Sequence, residues 1–329
     1  MANNEFNKQK LLYIAKILFE ESDEQHPMGA EAIIDRLSSF GIDAERKSIY
    51  ADVAVLNEFG IKIDKSRLSK TRGYYIADDD RQFSLPELKF LLDAISSSRF
   101  VTERKSKTIV KKLLNLTSKH NAMSLNREVY VQNRIRSINE ESIYIVDAIH
   151  QAILGGKVLA FSYKEWGIDK RLHDKKEYRV IPKALAYMNE NYYLLAHDID
   201  SGYTIKHFRV DKMHNPNEIE VEIDRQYLIE KIDVAKYCNY KFNMFSGDLA
   251  YVEIRAKQSM VGVLLDRFGT DITINQNKDD TFTTSVQVEV SPQFYAFIFG
   301  ISEHAEIIGP ASVREGYKEY LKMVLNKYK

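Results

Sequence analysis

Apolar residues over the first sixty positions recur at three- and four-residue spacing, the signature of helices with one buried face. Leu11, Leu12, Ile14, Ala15 and Leu18 mark a first helix; His26-Pro27 interrupts it, and Ala30, Ile33, Ile34 and Leu37 mark a second. Phe40-Gly41-Ile42 reads as a sharp turn. Asp43 reads as the N-cap of a third helix over 44–59, which buries Ile49, Val53 and Leu56 and ends at Gly60. Beyond Gly60 the period changes to two. Ile61-Lys62-Ile63-Asp64, a polar loop from Lys65 to Arg72, and Gly73-Tyr74-Tyr75-Ile76 predict a two-stranded hairpin over 61–76.

The middle of the chain is helical and charged. Ser84 and Glu87 have capping-box spacing ahead of a stripe of Leu88, Leu91, Leu92 and Ile95. A second helix sets Ile109, Val110, Leu113 and Leu114 against the basic Arg104, Lys105, Lys107, Lys111 and Lys112, a solvated face or a nucleic-acid contact. An amphipathic helix over 143–154 ends at Gly155-Gly156. Five short runs of strand character follow, at 158–163, 177–182, 184–188, 192–196 and 203–208, with turn signals at 189–191 and 200–202. Five such strands predict a small closed barrel. The last eighty positions read strand 250–256, helix 260–268, strands 271–275 and 282–290, helix 292–301, strand 305–308 and helix 313–327.

Bulk composition narrows the function classes. The chain has 329 residues, enough for two or three cores, with 47 basic and 47 acidic side chains. Zero net charge argues against coating nucleic acid by bulk charge, yet leaves room for a local basic face. A single cysteine, Cys238, excludes an intrachain disulfide and a four-cysteine zinc site, and fits a reducing compartment. The polar start and the lack of any run approaching ~18 apolar residues predict a cytoplasmic protein with no membrane segment.

Three helices and a hairpin form the pattern of a winged helix-turn-helix. If Ile49, Val53 and Leu56 face inward, then Arg46, Lys47, Ser48 and Tyr50 reach the exposed start of the third helix, the part that enters a major groove. Arginine and lysine there can pair with guanine edges, and hydroxyls reach phosphates. Lys65, Arg67, Lys70 and Arg72 make a basic hairpin loop suited to phosphates or a minor groove. The run Arg46 to Val53, with Leu56, Gly60-Ile61 and Gly73-Tyr74, resembles the N-terminal domain of bacterial WYL-domain transcriptional regulators. Ala51 departs from that pattern, which often has a basic residue there.

The strand region carries the same resemblance. Tyr192-Tyr193-Leu194 stands where the WYL domain has Trp-Tyr-Leu, and Lys206 to Met213 stands where it usually reads Arg-x-Phe-Arg-x-x-Arg-Ile. The resemblance implies an Sm-like (SH3-like) barrel that senses a ligand, a nucleotide or single-stranded nucleic acid. On the residues themselves, Arg209 is a planar fork for phosphate or a partner of Asp211 in a structural ion pair. Lys206 and His207 are its neighbours; Tyr163, Tyr187, Tyr192 and Tyr193 can supply stacking rings and hydroxyls, or Tyr193 and Phe208 are core. Strand alternation puts Lys206 with Phe208 on one face and His207 with Arg209 on the other, so not all of them line one pocket. The lysines at 206 and 212 weaken bidentate phosphate binding relative to the family pattern. The last module, with Tyr295-Ala296-Phe297-Ile298-Phe299-Gly300, resembles the C-terminal extension of such regulators, which the family uses for dimer contacts and effector coupling.

The predicted fold class is therefore multidomain α+β: winged helix-turn-helix (1–77), helical spacer (78–141), WYL barrel (142–215), connector (216–247) and C-terminal α+β module (248–329). No phosphate loop, nucleophile elbow or zinc-protease pair is present, and the eight histidines show no ligand spacing, so no enzymatic role, cofactor or metal is expected. The expected function is a regulator that reads a double-stranded DNA operator, as a homodimer on two half-sites, under control of an effector. The alternative is an accessory protein of phage defence acting through protein or RNA contact.

Overall fold

In the computed structural model the described residues are 2–66, 72–125, 136–230, 232–234, 237, 240–242 and 247–329, with backbone alone for 2–8 and 225. Arg67, Lys70 and Cys238 lie outside them. Two compact units emerge, residues 1–140 and 141–329.

The first unit opens with α1 (Ala2–Glu21), α2 (Ala30–Ser38) and α3 (Arg46–Phe59), then β1 (Asp64–Ser66) and β2 (Gly73–Tyr75), paired antiparallel. Ile14, Ile17 and Leu18 of α1, Ile33 and Leu37 of α2, and Ile49, Val53 and Leu56 of α3 meet Ile63, Tyr74 and Ile76 of the hairpin in one core. Helix α3 is shorter than the 44–59 expected: its N-cap is Glu45, in extended conformation and without a side-chain cap bond, so Asp43 does not cap it. The reason lies in Ile42 and Ala44, which both pack on the core; two positions apart, they require extended backbone. The hairpin strands are likewise trimmed from 61–76 to their inner residues. Helices α4 (Leu85–Ser97), α5 (Glu103–Leu114) and α6 (Lys119–Leu125) complete the unit. The backbone N–H of Ser84 donates to Glu87 at 2.8 Å, closing the capping box on α4.

The second unit begins with α7 (Ser142–Gly155), stopped by Gly156 at φ 59°. The next strands are β3 (Val158–Trp166), β4 (Leu172–Met188), β5 (Asn191–Asp198), β6 (Thr204–Arg209) and β7 (Met213–Ile219). Two of the expected runs, 177–182 and 184–188, are one strand: β4 passes through a register shift between Pro182 and Ala184, where proline has no N–H for the ladder. The fifth strand is β7, whose sequence HNPNE has little strand character and which pairs along β3. The sheet order is β6-β5-β4-β3-β7. No ladder joins β6 to β7 among the described residues, so the expected closed barrel is instead an open sheet. Helix α7 lies against β3, β4 and β7 and covers apolar surface that closure would otherwise have to hide.

A short helix, α8 (Arg225–Ile229), precedes the last module: β8 (Asp248–Lys257), α9 (Val261–Phe268), β9 (Ile274–Gln276), β10 (Thr281–Val290), α10 (Pro292–Gly300), β11 (Ala305–Gly309) and α11 (Ala311–Asn326). Its antiparallel sheet runs β11-β8-β10-β9. Val252, Ile254, Phe282, Val286 and Val288 face Leu264, Phe294 and Ile298 of the helices. No helix among the described residues is long and apolar enough to cross a membrane.

Candidate nucleic-acid interface

The start of α3 is exposed because the core claims only every third or fourth position: Ile49, Val53 and Leu56 are buried, whereas Arg46, Lys47 and Tyr50 are not. Arg46 donates from Nε to the Tyr50 hydroxyl at 2.7 Å and lies 3.7 Å from Glu31 of α2. Those two partners hold its guanidinium firmly protonated. Ser48, half-buried, donates to the Glu45 carbonyl at 2.9 Å. From the hairpin, Lys65 Nζ hangs over the rings of Tyr50 (5.9 Å) and Tyr74 (5.7 Å). Arg46, Tyr50, Lys65, Arg72 and Tyr74 line one cleft of about 400 Å³.

Residues that sequence reasoning passed over hold this arrangement in place. Lys10 of α1 and Asp52 of α3 form an ion pair at 2.9 Å with side chains 10% and 19% exposed, which fixes the roll of α3 on α1. Asn57 accepts from Ile63 N at 2.8 Å and donates to the Val53 and Ile63 carbonyls at 3.2 Å, tying the end of α3 to the strand that enters the hairpin. Gly73 lies so close to Met28 that a Cβ would come within 2.5 Å of its backbone. Met28 and Tyr74 exchange backbone hydrogen bonds there at 2.8 Å. Only the Gly60 stop and the Gly73 start had a local sequence signal; Asn57 and Asp52 look like ordinary polar positions on a helix.

The sensor candidates do not converge on one pocket. Register places Lys206 opposite Ala196 and Phe208 opposite Leu194 on one face, with His207 opposite Leu195 and Arg209 opposite Tyr193 on the other. Arg209 is a structural partner: Nε and Nη2 donate to Asp211 at 3.0 and 2.8 Å, and Nη2 to Asn191 at 3.0 Å. Its backbone N–H donates to the Tyr163 hydroxyl at 3.2 Å. Tyr163 stands among Phe161, Tyr178 and Phe208, and burial pushes its phenol up to about 12. Lys206 bonds Asp198 at 2.6 Å and Ser201 at 2.8 Å, and His207 bonds Tyr237. Tyr187 and Tyr192 form a separate tilted pair, centroids 4.8 Å apart, at the β4–β5 turn.

Residues 144–217 match the WYL domain family and residues 249–325 the WCX domain family. The chain thus carries a WYL domain followed by a WCX domain. No curated protein matches the chain. Among solved structures it is similar to proteasome accessory factor B/C (PafBC) of Arthrobacter aurescens, 16% identical over 97% of this chain and 54% of that one, with a TM-score of 0.28. A second is a CRISPR Cas-related protein, 11% identical over 86% of this chain and 73% of that one, with a TM-score of 0.37. The chain therefore spans about half the length of the first of these. Superpositions this loose establish no shared architecture.

Proposed function

We propose that the protein is an effector-responsive, DNA-binding transcription regulator. Residues 1–77 act as a winged helix-turn-helix, and the WYL sheet acts as the sensor. The observation that carries this reading is the gathering of Arg46, Lys65 and Arg72 around one cleft, beside an exposed Lys47, at the free end of a helix whose other face is core. Helix α3 enters the major groove by its N-terminal turn, Lys47 and Arg46 meet base edges, Ser48 and Tyr50 meet phosphates, and Lys65 with Arg72 follows the flanking backbone. One helix covers too little DNA for an operator, so the working form is a symmetric dimer on two half-sites. An effector, a nucleotide or single-stranded nucleic acid, shifts the dimer between two spacings. Such a regulator has no catalytic step and needs no cofactor.

Lys47→Glu is the direct test. It removes a groove contact and adds a repelling charge at an exposed position, so affinity for the promoter of its own operon falls at least about tenfold while the melting temperature holds. A gel shift in which the variant binds as tightly as the parent protein would remove α3 from the interface. Mass spectrometry of what copurifies with the protein identifies the effector.

A further inference from the structure

The segment from His26 to Met28 runs out of α1 into the root of the hairpin, where Met28 pairs with Tyr74. It forms one wall of a cleft of about 490 Å³, lined by Glu21, His26, Met28, Arg72, Lys119 and His120. Arg72 lines this cleft and also the cleft beside α3. The two are neighbours across the hairpin root.

Inside it, the imidazoles of His26 and His120 stack face to face, with centroids 3.9 Å apart and planes 10° from parallel. Asp23, 2% exposed, fixes them from behind. Its carboxylate takes His26 Nδ1 at 2.8 Å, the backbone N–H of His26 at 2.9 Å and of Gln25 at 3.0 Å, and the Ser118 hydroxyl at 2.5 Å. Ser118 leads into α6, so one buried carboxylate positions both rings: His26 directly, and His120 through the helix start. With Nδ1 engaged by Asp23, Nε2 is the His26 nitrogen left for an outside partner.

Among the described residues, fixed charges of both signs surround the pair. Glu21 holds Arg36 and Lys119, each at 2.6 Å; Asp78 stands 3.6 Å from Arg81 behind Asp23; and Arg72 offsets the remaining acid of Asp23 and Glu24 in part. His120 is the lining group whose protonation makes the cleft more positive. Burial and the facing His26 lower the pKa of His120, and a nearby phosphate works in the opposite direction.

We propose that this cleft binds a backbone phosphate of the duplex beside the hairpin, and that protonation of His120, stacked on His26, switches the contact on, so that DNA affinity rises as pH falls. The proposal rests on the reading of α3 and the hairpin as the DNA interface. Because a phosphate contact ignores sequence, a duplex of arbitrary sequence and about three helical turns is a sufficient probe.

The experiment is fluorescence anisotropy on that duplex between about pH 8 and pH 6, with the salt dependence measured at each end. For the full chain, affinity tightens about three- to tenfold across the interval, as uptake of one proton allows. His120→Gln keeps a neutral hydrogen-bonding side chain on the half-exposed ring position; it loses most of that pH dependence, and its log–log salt slope at pH 6 shrinks by about one. Circular dichroism verifies that the variant is folded. A second readout avoids substitution: the Cε1 proton of His120 titrates at higher pH in the complex than in the free protein. Identical pH dependence in the two proteins, or a histidine titration that the duplex leaves in place, overturns the cleft while leaving the α3 interface standing. Failure of the unaltered protein to bind any duplex at any pH overturns both.

Discussion

Gly73 illustrates how one atom can decide a local structure. The hairpin and the Met28 segment meet there with no space for a Cβ, which would stand 2.5 to 2.8 Å from three backbone atoms of Met28. Backbone offers no flexible end to move aside. Gly73→Ala therefore costs about 3 kcal/mol, at the upper end of overpacking penalties. Urea unfolding of the variant should show a lower midpoint at unchanged slope; an unchanged midpoint would mean that the contact relaxes freely. Tyr163 gives a prediction at high pH. Its phenol is raised by burial to about 12 from 10.0. A raised value means stability that is complete below the unfolded value and lost as pH climbs through the folded one. Unfolding free energy should fall between about pH 10 and pH 12, and Tyr163→Phe should flatten that loss. These residues differ in legibility. A glycine opening a short strand is a recognisable signal, whereas the environment of Tyr163 comes from β6 and β4, distant in sequence.

At the scale of elements, the first unit is wired together by polar contacts that hydrophobic periodicity does not report. Arg81 follows a run of three aspartates and reads as a solvated charge, yet its guanidinium is buried and donates to the Phe19 and Ser22 carbonyls at 2.9 and 2.7 Å, closing the end of α1. Asp23 works beside it. Burial raises its carboxyl, but hydrogen bonds from Ser118 and His26, with the charge of His26, outweigh this and leave it below the ordinary carboxylate value of 3.8. The sign is that of a lowered acid: its contribution is present above the unfolded value and disappears as pH falls through the folded one. Stability should drop between about pH 5 and pH 2, and Asp23→Asn should be less stable at neutrality with a shallower acid limb in denaturant titrations. Equal acid limbs would show that Asp23 is a bystander. Helix positions were legible because burial repeats along a helix; the wiring between helices was not, because one lysine on a helix surface looks like another until its partner is known.

The whole molecule comprises two units, and the division has a consequence for mutations in the second. Arg209 bonds only within the second unit among its described contacts, to Asp211, Asn191 and Tyr163. Arg209→Ala removes the charge-assisted bonds to Asp211 and the bond to Asn191, so the second unit loses about 1–3 kcal/mol. If the proposed function holds, affinity of the variant for duplex DNA stays within about twofold of the parent protein's and the proposed effector response weakens. Anisotropy and calorimetry on the same preparation separate the two effects; a large loss of DNA affinity in the variant would show that the state of the second unit governs the proposed DNA contact directly.

Taken alone, the sequence determined the order and kind of elements: α1 to α3 with the hairpin, the capped α4, and the alternating module from β8 to α11. Each of these writes its burial pattern locally, at a period of 3.6 or of two, and each has glycine, proline or a capping residue at its ends. Tertiary structure alone decided that β4 runs unbroken past Pro182, that the weakly strand-like Met213–Ile219 pairs with β3, and that α7 covers the sheet in place of closure. It also decided that Arg209 answers to Asp211 and that His26 meets His120 across 94 positions of chain (120 − 26). A ladder edge, an ion pair or a stacked ring is a relation between distant segments, and it acquires an energy only when the fold brings both partners out of water together.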